Sequence, residues 1–218
     1  MIVVSVQNVK GGCGKSTTAI HLAAALTAAG RSVAIADGDP QKSALRWLGR
    51  RAPELPKIEA IDFSKRNMDE LKALKKRNVF DYVIIDGRAA TRGDALDDFV
   101  KASDIVLVPV VGLPMDIEAS QDFLASLTQF RKIEKGKKRV AVVLNKVRPS
   151  GKIAARIAAM VKTLEVDIAA QVPDRAGLQN PIELGMTFFD NRRAANSELR
   201  ECFTALANYV EACAAEIK

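Results

Sequence analysis

Ile2-Val3-Val4-Ser5-Val6 leads, three residues later, into Val9-Lys10-Gly11-Gly12-Cys13-Gly14-Lys15-Ser16-Thr17, and a helical stretch from Lys15 to Ala29 follows at once. A buried strand, a glycine-rich turn and a helix in that order form a polyphosphate site. Successive backbone N–H groups and the helix N-terminus all point at one anion. Gly11, Gly12 and Gly14 permit close approach and positive φ where side chains would obstruct. Lys15 is placed to reach the β- and γ-phosphates, and the Ser16 hydroxyl to ligate a magnesium ion. The general pattern G-x-x-x-x-G-K-[ST] is incomplete, because Val9 stands at its first glycine. Lys10 is the other departure. Lys15 already serves the chain's own phosphates, so a lysine at the start of the turn is suited to reach across a dimer interface to a partner's nucleotide.

Outward from this unit, short β-branched runs alternate with amphipathic stretches. Ser32 to Ala36, Tyr82 to Ile85, Ile105 to Val108 and Val140 to Leu144 read as further strands, apolar without interruption as in a parallel sheet covered on both faces. Helices are predicted from about Asp116 to Phe130 and Ser197 to Ile217, and Gly30 caps the first helix. The pattern predicts a doubly wound, mostly parallel α/β sheet flanked by helices, with ligands at the carboxyl ends of the strands. Leu199, Cys202, Phe203, Leu206, Tyr209, Val210, Cys213 and Ile217 form one apolar stripe on the last helix, expected to dock on the sheet.

The length of 218 residues predicts one domain spanning 1–218. Aromatics are only 5%, so the core must be built mainly from Ala, Val, Leu and Ile. The net charge of +7 favours polyanionic partners, nucleic acid or an anionic membrane. Cys13, Cys202 and Cys213 show no C-x-x-C spacing, and Cys202 and Cys213 on one helix stand roughly 16 Å apart, too far for a disulfide. Such usage suits a reducing compartment, and a cytoplasmic location is predicted. Cys13, beside a helix N-terminus, is a position where a thiol pKa can fall. His21 has no partners for a metal site and is expected to pack or cap locally. Residues 1–6 are apolar but too short for a signal peptide or membrane span.

Two further segments carry carboxylates. Tyr82-Val83-Ile84-Ile85-Asp86 is an apolar strand ending in aspartate, the Walker B arrangement, where a carboxylate binds magnesium through water. Asp37-Gly38-Asp39-Pro40-Gln41 places two acidic groups after the second strand. One can hold the metal's water shell and the other can orient an attacking water, with Pro40 stiffening the turn. Leu144-Asn145-Lys146 ends another strand, but Arg148 stands where a guanine-reading N-K-x-D element needs aspartate, which favours adenine.

The K-G-G-x-G-K-S-T loop, the D-x-D-P-Q segment and the strand ending in Asp86 resemble, along the whole chain, the ParA/MinD family of deviant Walker A ATPases within the P-loop NTPases. The likeness is greatest to the short ParF-like partition ATPases. The resemblance implies ATP and Mg²⁺ as cofactors and slow, partner-stimulated hydrolysis. Lys10, Lys15 and Asp39 would act in catalysis, Asp39 by orienting water. Lys10 to Thr17 would bind nucleotide, Asn145 would contact adenine, and Pro173-Asp174 would close over the base. Ser16, Asp37 and Asp86 would serve the metal. Gly87-Arg88-Ala89 replaces the family's common Thr-Pro-Pro, in a loop that senses the γ-phosphate. Gly112-Leu113-Pro114-Met115-Asp116 resembles a proline-containing interface segment or is a plain strand-to-helix turn.

Basic residues cluster at Arg131-Lys132 and Lys135 to Arg139, and again at Arg148, Lys152, Arg156, Arg175, Arg192 and Arg193. Members of the resembled family bind DNA without sequence preference as ATP dimers. That implies a homodimer with ATP, nonspecific nucleoid DNA, and a ParB-like or other small cargo-adaptor protein as partners, with Lys152, Arg156, Arg192 and Arg193 as DNA contacts. The cargo would be a plasmid, a chromosome locus or a protein organelle such as the carboxysome. No membrane partner is expected, because Glu198, Glu201, Glu211 and Glu216 make the last helix acidic. Two alternatives remain at this point: a MinD-like membrane switch in division-site placement, and an iron–sulfur carrier ATPase, which requires paired cysteines.

Overall fold

A computed structural model describes residues 1–64, 68–89, 93–146, 152–174, 180–190 and 197–217. Among the described residues seven strands form one sheet in the order β3-β2-β4-β1-β5-β6-β7, and every pair is parallel. The strands are β1 (Ile2–Val6), β2 (Val33–Asp37), β3 (Glu59–Asp62), β4 (Tyr82–Asp86), β5 (Ile105–Val111), β6 (Arg139–Asn145) and β7 (Asp167–Val172). β1 stands in the middle. From it the chain winds to one side through β2 and β3, returns at β4 and continues to the other side from β5. The strand order therefore reverses at the carboxyl end of β1, where the glycine-rich turn begins. Ligands bind open α/β sheets at such a point.

The five strands expected from continuous apolar runs all form. β1, β2 and β4 are buried along their whole lengths. β5 extends three residues past the expected Val108, to Val111, so Pro109 lies within it. That is tolerated because Pro109 sits beyond the last β1–β5 pair, Val6 with Leu107, where an absent N–H breaks no rung of the ladder. β3 and β7 are additions that the sequence reading did not anticipate. Both are edge strands, and in Glu-Ala-Ile-Asp and Asp-Ile-Ala-Ala-Gln-Val at most three apolar residues stand in a row, in keeping with their partial exposure.

Among the described residues the helices are α1 (Lys15–Ala28), α2 (Ser43–Arg50), α3 (Met68–Arg77), α4 (Asp94–Ala102), α5 (Pro114–Thr128), α6 (Arg131–Glu134), α7 (Lys152–Thr163), α8 (Asn180–Glu183) and α9 (Ser197–Ile217). α1 and α9 cover one sheet face, packing Leu22, Leu26, Phe203, Leu206 and Val210 against Val4, Ile35 and Ile84. Phe99 of α4 and Leu71 of α3 cover the other face over Val3, Val83 and Ile85. The α9 stripe docks as expected, with Leu199, Phe203, Leu206, Val210 and Cys213 buried. The long helix expected from Asp116 to Phe130 begins two residues earlier, with Pro114 in its first turn, and ends at Thr128 before the separate turn α6. No helix among the described residues is long and apolar enough to cross a membrane.

Candidate functional site

The turn after β1 is held from several sides. Gly12 and Gly14 have φ of 73° and 95°, and Gly14 opens α1 in the left-handed region. A side chain at Gly14 is excluded twice, since an added Cβ would also overlap the Asn145 amide. Asn145, at the end of β6, is 3% exposed and donates from Nδ2 to the Cys13 carbonyl at 2.8 Å. The structure thus places Asn145 against the glycine turn as a brace, and its Oδ1 makes no hydrogen bond among the described residues. Asn8 does similar work at the start of the turn. Its Nδ2 donates to the Pro109 carbonyl at 2.8 Å and to Ser120 Oγ at 3.0 Å, while its Oδ1 accepts from the Lys10 N–H at 3.2 Å.

Lys15 is buried, and its ammonium donates to the Lys10 carbonyl at 2.8 Å. Lys10 points elsewhere, its Nζ 2.8 Å from Asp116 Oδ1 in the first turn of α5. Cys13 lies 2% exposed inside the turn, and burial pushes its thiol up from the ordinary value, with Lys15 opposing. A helix N-terminus can lower a thiol's pKa, but at Cys13 desolvation outweighs the opposing Lys15 charge and hydrogen bonds.

Asp37 and Asp86 end adjacent strands and are register partners. Both are fully buried. Among the described residues Asp86 has neither oxygen in a hydrogen bond of normal geometry. Burial pushes its carboxyl up to about 7, with Asp37 adding to the shift and the nearby Ser16 hydroxyl and Lys15 opposing. Asp37 differs. Its Oδ1 accepts from the Asp39 N–H at 3.0 Å, and its Oδ2 from the N–H groups of Ala44 and Leu45 at 2.9 and 3.1 Å. These are the opening residues of α2, whose own N-cap, Lys42, offers no side-chain cap. Asp37 therefore caps α2 from a neighbouring strand, satisfying donors that would otherwise be orphaned. Nothing local in the sequence marks that function, since residues 38–42, between β2 and α2, are a turn. Burial still raises the Asp37 pKa against those bonds.

An unpaired, buried carboxylate beside a serine hydroxyl and a second carboxylate is a hard oxygen donor set of the kind magnesium takes. Magnesium is held by one or two carboxylates together with substrate phosphates rather than by a full protein cage. Asp86, Ser16 and Asp37 fit that role, and a cation there would supply neutralisation for phosphate oxygens. Asp39 is half-buried at the mouth of this cluster, its Oδ1 accepting from the Gln41 N–H at 2.8 Å. Pro173 is half-buried and Asp174 exposed just past β7. The Lys146 N–H donates to the Val172 carbonyl at 2.9 Å, so the strand ends carrying Asn145 and Pro173 lie side by side.

The DNA-contact candidates are less unified. Lys152 and Arg156 are exposed one turn apart on α7, but Arg156 is paired with Glu118 at 2.8 Å. Arg148, Arg175, Arg192 and Arg193 lie outside the described residues. Leu113 and Met115 flank Pro114 and are 59% and 77% exposed, an apolar pair next in sequence to the Asp116 that holds Lys10.

His21 packs, as expected for a histidine without ligand partners. Its ring is stacked between Phe188 and Phe203 at centroid distances of 4.8 and 4.6 Å, and Nδ1 bonds the Thr17 carbonyl at 3.0 Å. A second unanticipated feature joins α2 to the segment after α8. Arg51 makes a bidentate pair with Asp190, both bonds 2.8 Å, with side chains only 6% and 2% exposed. Arg51 also lies over the Trp47 ring at 5.3 Å.

A phosphate-cradling turn at the switch point of a parallel sheet, with buried acid at the next strand end, defines a P-loop nucleotide-binding protein. The profile of the CobQ/CobB/MinD/ParA nucleotide binding domain matches residues 4–188, and the chain belongs to that family. It is similar to the "Maintenance of carboxysome distribution protein A" of Halothiobacillus neapolitanus, with 27% identity over 203 residues, 91% of this chain and 93% of the relative. Among solved structures, apo McdA from Cyanothece superposes with a TM-score of 0.75 at 19% identity, covering 96% of this chain and 99% of that one. The pNOB8 ParA bound to nonspecific DNA gives a TM-score of 0.67 at 19% identity over 100% and 99% of the two chains. These two structures share the fold.

Proposed function

We propose that this chain is a ParA-type ATPase that works as one domain, forms a sandwich dimer with Mg-ATP, binds DNA without sequence preference and positions or segregates a cargo. Slow, partner-stimulated hydrolysis resets the dimer. The observation that carries the reading is the buried Asp86 carboxylate, neither oxygen of which has a hydrogen bond of normal geometry among the described residues, with Ser16 and Lys15 close enough to oppose the rise of its pKa. A carboxylate so costly to bury unpaired is placed for a cation. Lys15 binds the terminal phosphates, Ser16, Asp37 and Asp86 hold magnesium, Asp39 orients the attacking water and Lys10 reaches the partner's nucleotide. Asn145, Pro173 and Asp174 line the base. The likeness to a carboxysome-distribution protein over nearly the whole of both chains favours a protein organelle among the possible cargoes. It also favours a small adaptor protein as the stimulating partner and the nucleoid as the site of action.

Fluorescence anisotropy with random-sequence duplexes tests the reading. Binding should appear with Mg-ATP, be absent with ADP, and weaken steeply as salt rises, because phosphate contacts release counterions. Nucleotide-independent binding, or none with Mg-ATP at low salt, refutes it. Lys152, Arg192 and Arg193 should each contribute to the salt slope when replaced by alanine. Arg156 is the weakest of the four candidates because Glu118 already neutralises it.

A further inference from the structure

Gln7 follows β1 directly and is fully buried, yet among the described residues neither Oε1 nor Nε2 has a hydrogen-bond partner. Its neighbour Asn8 is satisfied on both its amide nitrogen and its oxygen, so poor local packing does not account for the difference. The last register pair of β1 and β4 is Val6 with Asp86, and the Gly87 N–H donates to the Val6 carbonyl at 3.0 Å. Gln7 and Gly87 therefore lie side by side, one step past that pair. They share the sheet face that carries Val3 and Ile85 under Phe99. A Cβ added at Gly87 would overlap the carbonyl carbon, oxygen and nitrogen of the Gln7 amide. Gly87 is glycine because the Gln7 side chain occupies the place of its own. Ser5, two residues back on the same face, also has an unpaired hydroxyl and does not serve Gln7.

We infer that Gln7 is a positioning residue for the loop Gly87-Arg88-Ala89: its amide, held directly under Gly87, supplies hydrogen bonds to the backbone of that loop when nucleotide draws it inward, and so biases the loop toward its closed arrangement. This rests on the nucleotide-hydrolysis reading above. An unpaired buried amide disfavours whatever loop arrangement leaves it unpaired. A carboxamide offers both a donor and an acceptor, and the loop offers backbone groups of both kinds. Leucine, similar in bulk, would fill the same space without either. Elsewhere on this face the same economy is visible: at Gly38, after the partner carboxylate strand, an added Cβ would press on Phe99 and the Asp86 carbonyl.

Amide hydrogen exchange with and without Mg-ATP, read beside steady-state hydrolysis, tests the inference on Gln7→Leu in the full chain. In the wild type, nucleotide should slow exchange both at residues 11–17 and at residues 87–89. In Gln7→Leu the protection of 11–17 should persist and that of 87–89 should be lost. KM should be unchanged and kcat should fall about tenfold, the worth of one ordinary hydrogen bond. The melting temperature should hold or rise, since an unpaired amide has been removed, whereas a merely structural glutamine would give a lower one. Gln7→Met gives the same reading should leucine pack badly. Gly87→Ala should lower the melting temperature by displacing Gln7, and Gln7→Ala/Gly87→Ala should restore it without restoring turnover. Gln7→Leu with wild-type protection of 87–89 and wild-type kcat overturns the inference, as does a wild type in which nucleotide protects 11–17 but not 87–89. If nucleotide protects neither segment, the ATP reading itself fails and the inference falls with it.

Discussion

Lys10 Nζ lies 2.8 Å from Asp116 Oδ1, so the first lysine of the phosphate turn is tied to the first turn of α5 in its own chain. The side chains are 34% and 21% exposed, which makes the pair modest in energy. A lysine that serves a partner's nucleotide must first leave Asp116. The carboxylate is thus a competitor for Lys10, and it sits beside the exposed Leu113 and Met115, on a surface where a second copy could meet the first.

Lys10→Ala should abolish ATP-dependent dimerisation while leaving nucleotide binding in place; a normal dimer by light scattering refutes the trans role. Asp116→Asn should act oppositely, tightening the ATP dimer by up to about fivefold, the scale of a partly exposed ion pair. Sedimentation at several protein concentrations reads both.

Asp39→Ala should hold the ATP dimer on DNA by blocking hydrolysis. Among the described residues the Asp39 carboxylate accepts from the Gln41 N–H alone, so its loss should lower the melting temperature little. Turnover at the wild-type rate in the presence of the partner removes Asp39 from the water-orienting role.

His21 ties stability to pH. Burial lowers its pKa from 6.5 to about 4, opposed by the Thr17 carbonyl and by Asp190. The unfolded chain therefore takes up a proton near 6.5 that the folded chain refuses until about 4. Its contribution to stability is full above the unfolded pKa, falls as pH drops through that window, and levels off once the folded ring also protonates. Between pH 8 and pH 5 the loss should be roughly 2 kcal/mol. Urea denaturation of His21→Phe, which keeps the stack on Phe188 and Phe203, should show that much less acid sensitivity; an identical pH profile would show that His21 is not the titrating group.

Arg51→Ala and Asp190→Ala should each cost about 3–5 kcal/mol, because each strands a buried charge. Burial works against the Asp190 carboxylate, yet Arg51 and Thr187 outweigh it and hold the pKa below the ordinary value. With a depressed folded pKa, the pair's contribution is fully present above the usual carboxylate range and is lost as pH falls below that range through the folded value. A melting-temperature change no larger than that of an exposed Lys57→Ala control would show the pair to be unimportant.

The core strands were legible because both faces of a parallel sheet must be apolar, and β1, β2, β4, β5 and β6 say so in consecutive residues. β3 and β7 were not, since an edge strand with one open side needs no such run. The loop from Val9 to Thr17 was legible for a related reason: cradling phosphate demands glycine, lysine and a hydroxyl at fixed steps along one short segment. Asp86 was legible as the polar end of an apolar strand. Asp37 was only half legible. Its place after β2 is written in the chain, but its cap on Ala44 and Leu45 depends on where α2 turns back.

What the residues determine alone, then, is local and periodic: the alternation that makes the sheet, the phosphate turn, and the acids at strand ends. What the tertiary structure decides is which groups separated in sequence become neighbours. It sets Asn145 on Gly14, Gln7 under Gly87, Asp116 on Lys10 and Asp190 on Arg51. The physical reason is that hydrogen bonds, ion pairs and a missing Cβ act over a few ångströms of space, and only the folded sheet brings residues dozens of positions apart within that reach.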